Sequence, residues 1–410
     1  MELIILNKKF FDRLLIIFLF LNPVLDAVTA YQLKYNVGSI TIGTLIRGIF
    51  LYIIVFYMLK NNIKRKHLIT FIIYIILATS FNYYYLKNPI VSEVSNLTII
   101  FYLPILIYFF KNLDNELIND KLIFILYLVY VNFIIVPYIF GFGFHTYPEK
   151  YNKWGFMGVF YSGNEISAIL IGLLPVVVNY LINHKNIFIK LIFGLEILVA
   201  IFMVGTRTLI MGLAITIMYF IFKFIKNNYK KLTRKTKYIG CGLAICIVIT
   251  SIVVLPKLPI VKNAEIAFKY YNINKFSELF TFKTLDKIIF SERLTFLKGI
   301  NKIYFARKIP VIIFGLGRTG LLAIKDVELD IFDIFYSIGF VGSIVYLIFM
   351  IDGFKKTKFK DYYILSLLLF MLMSLTSGHV LIRPMVSIYF AIIFILNKNS
   401  KKVDKSLKRK

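Results

Sequence analysis

About twelve stretches of mostly apolar residues, each near the 20 needed to cross a bilayer and separated by short polar connections, constrain this chain more than anything else in it. Lipid offers no partner to backbone N–H and C=O groups, so a spanning segment must be a helix or part of a closed barrel. These runs lack the period-two alternation of barrel strands. The spans read at 11–30, 39–59, 67–86, 90–110, 121–141, 164–183, 187–204, 207–226, 237–255, 332–352, 361–377 and 380–397. A hydrophobic content of 59% and a mean hydropathy of +0.78 agree, since soluble domains are only about half apolar. The expected fold class is an all-α polytopic integral membrane protein with a large helical extracytoplasmic loop before the third-last helix. Lys8, Lys9 and Arg13 ahead of the first run also allow a cleaved signal ending near Ala30. A start-anchor fits better, because so many spans follow.

The net charge of +28 sits on no folded domain. Lys and Arg cluster in short connections, where they act as topology signals rather than as a nucleic-acid surface. The clusters fall in alternate connections: Lys60 with Lys64, Arg65 and Lys66; Lys185 and Lys190; 223–237; Lys355, Lys356, Lys358 and Lys360; and the tail 398–410. The 112–120 turn alone in this set has an acidic excess. Both termini are therefore expected in the cytoplasm. The opposite connections, 31–38, 142–163, the Gly205 turn, 256–331 and 377–379, are expected outside. The chain divides into nine spans over 1–255, an extracytoplasmic loop over 256–331, three spans over 332–397 and a basic tail. Cys241 and Cys246 lie five residues apart in one run and share no helix face, so no disulfide or metal site is implied.

This topology brings the remaining ionisable residues to one membrane face: Glu165, Arg207, Arg293, Arg318, Glu328, Asp330, Asp333, His379 and Arg383. Such groups at a membrane edge are costly and are functional candidates by default. The 256–331 loop is longer than an ordinary connection. Within it, 264–276 and 293–304 carry apolar residues at helical spacing, which predicts amphipathic helices on the membrane or over the bundle.

Each motif also has a plainer reading. Arg207, in Gly205-Thr-Arg-Thr208, stands at a helix N-terminus whose free amides favour an anion, so it reads as a phosphate clamp; the alternative is an arginine snorkelling to the interface. Ser162-Gly-Asn164-Glu165 has capping-box spacing, with Asn164 and Glu165 as substrate contacts in the second reading. Gly315-x-Gly-x-x-Gly320 has the letters of a dinucleotide fingerprint but none of the βαβ context. Its glycines suit a close backbone approach to a ligand beside Arg318. Glu328, Asp330 and Asp333 can cap the helix they begin or supply a general base. His379 and Arg383, four residues apart before Pro384, read as a structural histidine or as a second clamp and proton carrier.

In this order, the Gly-Asn-Glu segment, the Gly-Thr-Arg-Thr turn, the Arg293 segment, Gly-Leu-Gly at 315–317, the acidic 328–333 stretch followed by Gly339 and Gly342, and the Ser-Gly-His turn at 377–379 resemble the O-antigen polymerase and O-antigen ligase superfamily. The resemblance covers about 140–397. It implies a GT-C-like glycosyltransferase that needs neither metal nor other cofactor, with an undecaprenyl-diphosphate-linked oligosaccharide as substrate in the membrane lipid. Arg207 and Arg293 are implied as its diphosphate ligands, with Arg318 and Arg383 as further candidates. A flippase and chain-length regulators are implied partners. The ligases carry a histidine where this chain has Glu328 and Asp330, so the expected activity is a polymerase, with ligase and transporter as alternatives. Against a transporter, the charges gather at one face beside one long loop instead of near the midplane between two similar halves.

The topology is testable by labelling. Cysteines introduced at Tyr147 and Lys275 are expected to react with an impermeant thiol reagent on intact cells, and those at Lys231 and Lys405 only after permeabilisation. Reversed labelling would remove the one-face argument.

Overall fold

The computed structural model describes residues 8–37, 41–147, 155–228, 286, 290–324 and 326–407. The expected ninth span at 237–255, both cysteines and the expected loop helix at 264–276 lie outside these residues. Among the described residues the chain is helical except for one small hairpin. In order, the elements are α1 (Lys8–Lys34), α2 (Ile42–Lys60), α3 (Arg65–Leu86), α4 (Ile90–Asn112), α5 (Asp120–Ile139), strands β1 (Phe144–His145) and β2 (Phe156–Gly158), α6 (Gly163–Asn183), α7 (Ile187–Val204) and α8 (Arg207–Asn228). Then come α9 (Arg293–Phe305), α10 (Ile309–Phe314), α11 (Gly317–Ile324), α12 (Asp330–Phe354), α13 (Asp361–Thr376) and α14 (Pro384–Leu407). Among the described residues nine helices, α1–α8 and α12, are long and apolar enough to cross a membrane, and α13 is a shorter apolar helix. The protein is an all-α polytopic membrane protein.

Local chemistry starts several helices. Thr41, Asn119, Ser162 and Asn186 each accept a backbone N–H of the first turn that follows. The first half of α14 is apolar on every side and accordingly buried on every side, against α4 and α6. This helix begins at Pro384, four residues later than the 380–397 span predicted, because 377–383 is drawn into the site. Away from the site, Lys64 pairs with Asp352, and Lys111 donates to the carbonyls of Gly353 (2.8 Å) and Lys355 (2.7 Å) at the end of α12. Cations there complement the negative end of the helix dipole.

Helix α12 is broken at Gly339, which has φ 65 and ψ −170. The backbone of Gly315 presses against the break. A Cβ on Gly315 would stand 2.6 Å from Gly339 N, and one on Gly339 2.5 Å from Ile313 O. Carbonyls freed by the break find partners: Leu316 N donates to Tyr336 O (2.9 Å) and Tyr74 Oη to Ile338 O (2.9 Å), while Asn96 Nδ2 donates to the neighbouring Ser337 hydroxyl (2.7 Å). On the other side Gly317, also at positive φ, lies against Glu93, whose buried carboxylate accepts from Asn82 (2.8 Å) and Asn88 (3.1 Å). The glycines of 315–317 therefore serve close approach to protein backbone and to Glu93. The sequence reading assigned that closeness to a ligand.

Gly315→Ala is expected to lower the melting temperature of the purified protein, because a left-handed alanine costs roughly 1–3 kcal/mol even before the collision with α12. Gly299→Ala, in α9 with open space at its Cβ, is expected to leave it unchanged or raise it. Equal behaviour of the two would refute the docking role.

Candidate active site

The site is assembled on the 376–383 segment. Gly378 and His379 have φ of 66 and 67, and a Cβ on Gly378 would meet Glu328 O at 2.7 Å. The turn is held by Asp330, the first residue of α12. Its Oδ1 accepts His379 N (2.8 Å), and its Oδ2 accepts Val380 N (2.9 Å) and Leu381 N (2.8 Å). Asp330 is wholly buried, and both of its carboxylate oxygens accept backbone N–H groups. Asp333, one turn on, is also buried and accepts Val327 N at 2.8 Å. Glu328 differs. It sits at φ 61 with its side chain 44% exposed.

Arg293, the first residue of α9, reaches Glu328 Oε2 at 2.5 Å and donates to Thr376 O at 3.1 Å. The start of its helix is fixed by buried Asp286, which accepts Leu294 N and Thr295 N, both at 3.0 Å, and Thr295 Oγ1 at 2.7 Å. Nothing in the sequence marked Asp286, because its distance from Arg293 does not fit the usual N-cap spacing. The body of α9 lies on α12, where Tyr336 Oη donates to Asn301 Oδ1 at 2.6 Å.

Arg207 begins α8 directly after Thr206, whose hydroxyl accepts Leu209 N (3.4 Å) and hydrogen-bonds Ser167 Oγ (2.7 Å) on α6. Gly205, at φ 63, closes α7, and Thr146 Oγ1 donates to Val204 O at 2.9 Å. This ties the β hairpin to the turn. Tyr147 follows. Burial pushes its phenol up, and the positive charges of Arg207 and Arg293 draw it back. Arg207 and Arg293, 86 positions apart in sequence, thus act on one side chain. Tyr147 was not singled out as a site residue, because an isolated tyrosine in a loop has no motif around it.

A second cluster joins α6 to the same turn. Ser162 caps α6 as its spacing predicts, but the Glu165 carboxylate turns away from the cap. It lies 3.6 Å from His379 Nδ1 and 3.4 Å from Arg383 Nε, and Arg383 Nε donates to His379 Nδ1 at 3.2 Å. Asn164 sits beside it in the first turn, partly exposed. Arg383 also lines a cavity of about 40 Å³ with Asp326, Asp333, Asn96 and Ser337. Behind Glu165, within the bundle, Arg47 pairs with Asp26 and donates to Asn22 Oδ1 (2.8 Å), while Tyr130 Oη donates to Asp26 Oδ2 (2.8 Å). Arg318 lies in the first turn of α11 on the segment docked against α12; its side chain is outside the described residues. Among the described residues no group of three or more His, Cys, Asp or Glu is placed to hold a metal ion.

Fold and site together define a polytopic membrane protein in which Glu165, Arg293, Glu328, Asp330, His379 and Arg383 meet around the 376–383 segment. A family model described as "O-antigen ligase like membrane protein" matches residues 8–279 and 278–397, and the chain belongs to this family. The match begins well before residue 140, so it takes in the helices that carry Asp26, Arg47 and Glu93. Comparison with curated proteins and with solved structures returned no match. Family membership supports a membrane enzyme that transfers glycan.

If Asp330 holds the turn, Asp330→Asn sets an amide N–H₂ against at least one of the three N–H donors. The expected loss is roughly 1.5–3 kcal/mol, read as a lower melting temperature together with lower activity. A variant that loses activity at unchanged melting temperature would instead mark Asp330 as a base.

Proposed function

We propose that the protein is a polymerase that joins undecaprenyl-diphosphate-linked oligosaccharide units at the outer face of a bacterial cytoplasmic membrane, both termini being cytoplasmic. The observation that carries this reading is the accessible Glu328 paired to Arg293, with Arg293 also bonded to the Thr376 carbonyl of the turn that carries His379. Two guanidinium groups, each at a helix N-terminus, suit a diphosphate. An acceptor sugar hydroxyl attacks the anomeric carbon of the donor glycan, and the bond from that carbon to the diphosphate oxygen breaks. The electron pair leaves on the diphosphate, where Arg207 and Arg293 stabilise the growing charge. The hydroxyl proton passes to a carboxylate.

Glu328 is the carboxylate best placed for this step. Asp330 and Asp333 are engaged by backbone N–H groups, whereas Glu328 is accessible and pairs with Arg293. An arriving diphosphate competes for the same guanidinium and frees Glu328 to accept a proton beside the reacting carbon. Its being a glutamate, where the ligases place a histidine, favours transfer to a growing glycan over ligation.

Arg207→Lys and Arg293→Lys are each expected to reduce polymer formation at least about tenfold in membranes that contain normal amounts of protein, because an ammonium cannot reproduce bidentate contact with phosphate. Glu328→Gln is expected to abolish transfer while sparing donor binding and melting temperature. The readout is conversion of labelled lipid-linked oligosaccharide to longer chains. Transfer to a different acceptor without chain growth would indicate a ligase, and leaflet exchange without new bonds a transporter. Activity in Glu328→Gln with loss in His379→Ala would move the base to the 376–383 segment.

A further inference from the structure

Three side chains meet at the 376–383 segment from three rigid supports. The backbone of His379 lies at φ 67 beside Gly378 at φ 66, and its N–H is fixed by Asp330 Oδ1 at 2.8 Å. Arg383 is fixed by α14, since its carbonyl accepts Val386 N and Ser387 N, both at 2.9 Å. Glu165 stands in the first turn of α6, behind the Ser162 cap. Arg383 Nε–H is aimed at His379 Nδ1 at 3.2 Å. The Glu165 carboxylate lies against both, 3.4 Å from Arg383 Nε and 3.6 Å from His379 Nδ1. A guanidinium keeps all its protons and can only donate, so Nδ1 must accept. In a neutral imidazole the bond made at one nitrogen sets the proton on the other. The ring proton therefore lies on Nε2. That atom has no hydrogen-bond partner among the described residues, and the ring is left 14% exposed.

The surroundings of Arg383 do not suit a ligand anion. The cavity of about 40 Å³ that it lines is also lined by Asp326 and Asp333, so a further anion there would meet two acids. From this geometry we propose that Arg383 and Glu165 are positioning residues that lock His379 as a neutral Nε2–H tautomer, and that this N–H donates a hydrogen bond to an oxygen of the bound glycan. The ligand in this proposal rests on the glycan-transfer reading; the tautomer does not. An Nε2 that bears a proton has no lone pair to take another, so His379 is a donor, and acceptance of the hydroxyl proton is left to Glu328. Glu165 supplies the charge that lets a guanidinium stand beside an imidazole in a partly buried place. Without Arg383 the same carboxylate would be the nearest partner of Nδ1 and would draw the ring proton to that side.

The test is nitrogen NMR of full-length protein in nanodiscs, with isotope-labelled histidine and no substrate, at about pH 8.5, well above the ordinary imidazole value. The signals of His379 are those that His379→Gln removes. They are expected to show a protonated Nε2 and an unprotonated Nδ1. Arg383→Gln is expected to move the proton to Nδ1, facing Glu165, whereas Glu165→Gln, which leaves the arginine donor in place, is expected to keep it on Nε2. A residue that merely packs the turn would not reverse a tautomer. In the conversion of labelled lipid-linked oligosaccharide, His379→Ala is expected to lower kcat/KM about tenfold, a change of 1.4 kcal/mol. His379→Gln is expected to restore most of it, because its amide can donate where Nε2–H stood but cannot act as a base. A protonated Nδ1 in the wild-type protein, an unchanged tautomer in Arg383→Gln, or a Gln variant as inactive as the Ala variant would each overturn the proposal. Should Arg383→Gln fail to fold, the wild-type tautomer and the comparison of Gln with Ala decide it. Protonated Nε2 with no glycan transferred under any condition would uphold the lock and sink the transfer reading. Polymer made by a wild-type protein with protonated Nδ1 would do the reverse.

Discussion

A carboxylate with no exposure to solvent is held by three backbone N–H groups of a segment nearly fifty residues away, and the site depends on it. Asp330 would be a costly burial without those bonds; with them it makes charge-assisted contacts of 2.8–2.9 Å that a neutral side chain cannot equal. The bonds fix the start of α12 to the turn between α13 and α14. Through that turn His379 and Arg383 meet Glu165 on α6, and Thr376 presents its carbonyl to Arg293 on α9. Four helices and a loop helix are thereby brought to one point by one side chain.

The second constraint is the break in α12. Irregular backbone inside a membrane bundle is tolerated only where protein encloses it and every freed group finds a partner. Here Leu316 and Tyr74 supply partners, and glycine at 315 and 339 lets two backbones touch. Glu93 anchors the far side of the same loop. The loop that carries Arg318 is thus docked into the bundle instead of lying over it, and α9, which carries Arg293, is held against the same helix by Asn301 and Tyr336. A buried hydrogen-bonded network of this kind specifies one arrangement strongly, because each unpaired member would be costly. The Asn22–Asp26–Arg47–Tyr130 network behind Glu165 obeys the same logic.

These tertiary contacts distribute the chemistry among residues that look alike in sequence. Three carboxylates stand within six positions, yet one grips a turn, one accepts Val327 N and one remains accessible beside Arg293. Glu165, at capping-box spacing, leaves the cap to Ser162 and turns to His379 and Arg383 in the turn between α13 and α14. Tyr147, which no pattern in the chain singled out, feels the positive charge of both Arg207 and Arg293.

The sequence by itself determined the helical membrane class, the approximate limits of most described spans, the helix at Arg293 and the family. It could do so because hydropathy, helical periodicity and motif order are local properties that add along the chain. The gathering of most candidate residues around one place was also legible, since successive short connections alternate between the two ends of a bundle. Only the tertiary structure decided the partner of each ionisable group: Asp330 with 379–381, Asp286 with the start of α9, Glu93 with Asn82 and Asn88 beneath the glycine loop, and Asp26 with Arg47. In an environment where every buried charge must find a partner, that choice depends on which non-neighbouring helices touch, and no local spacing encodes it.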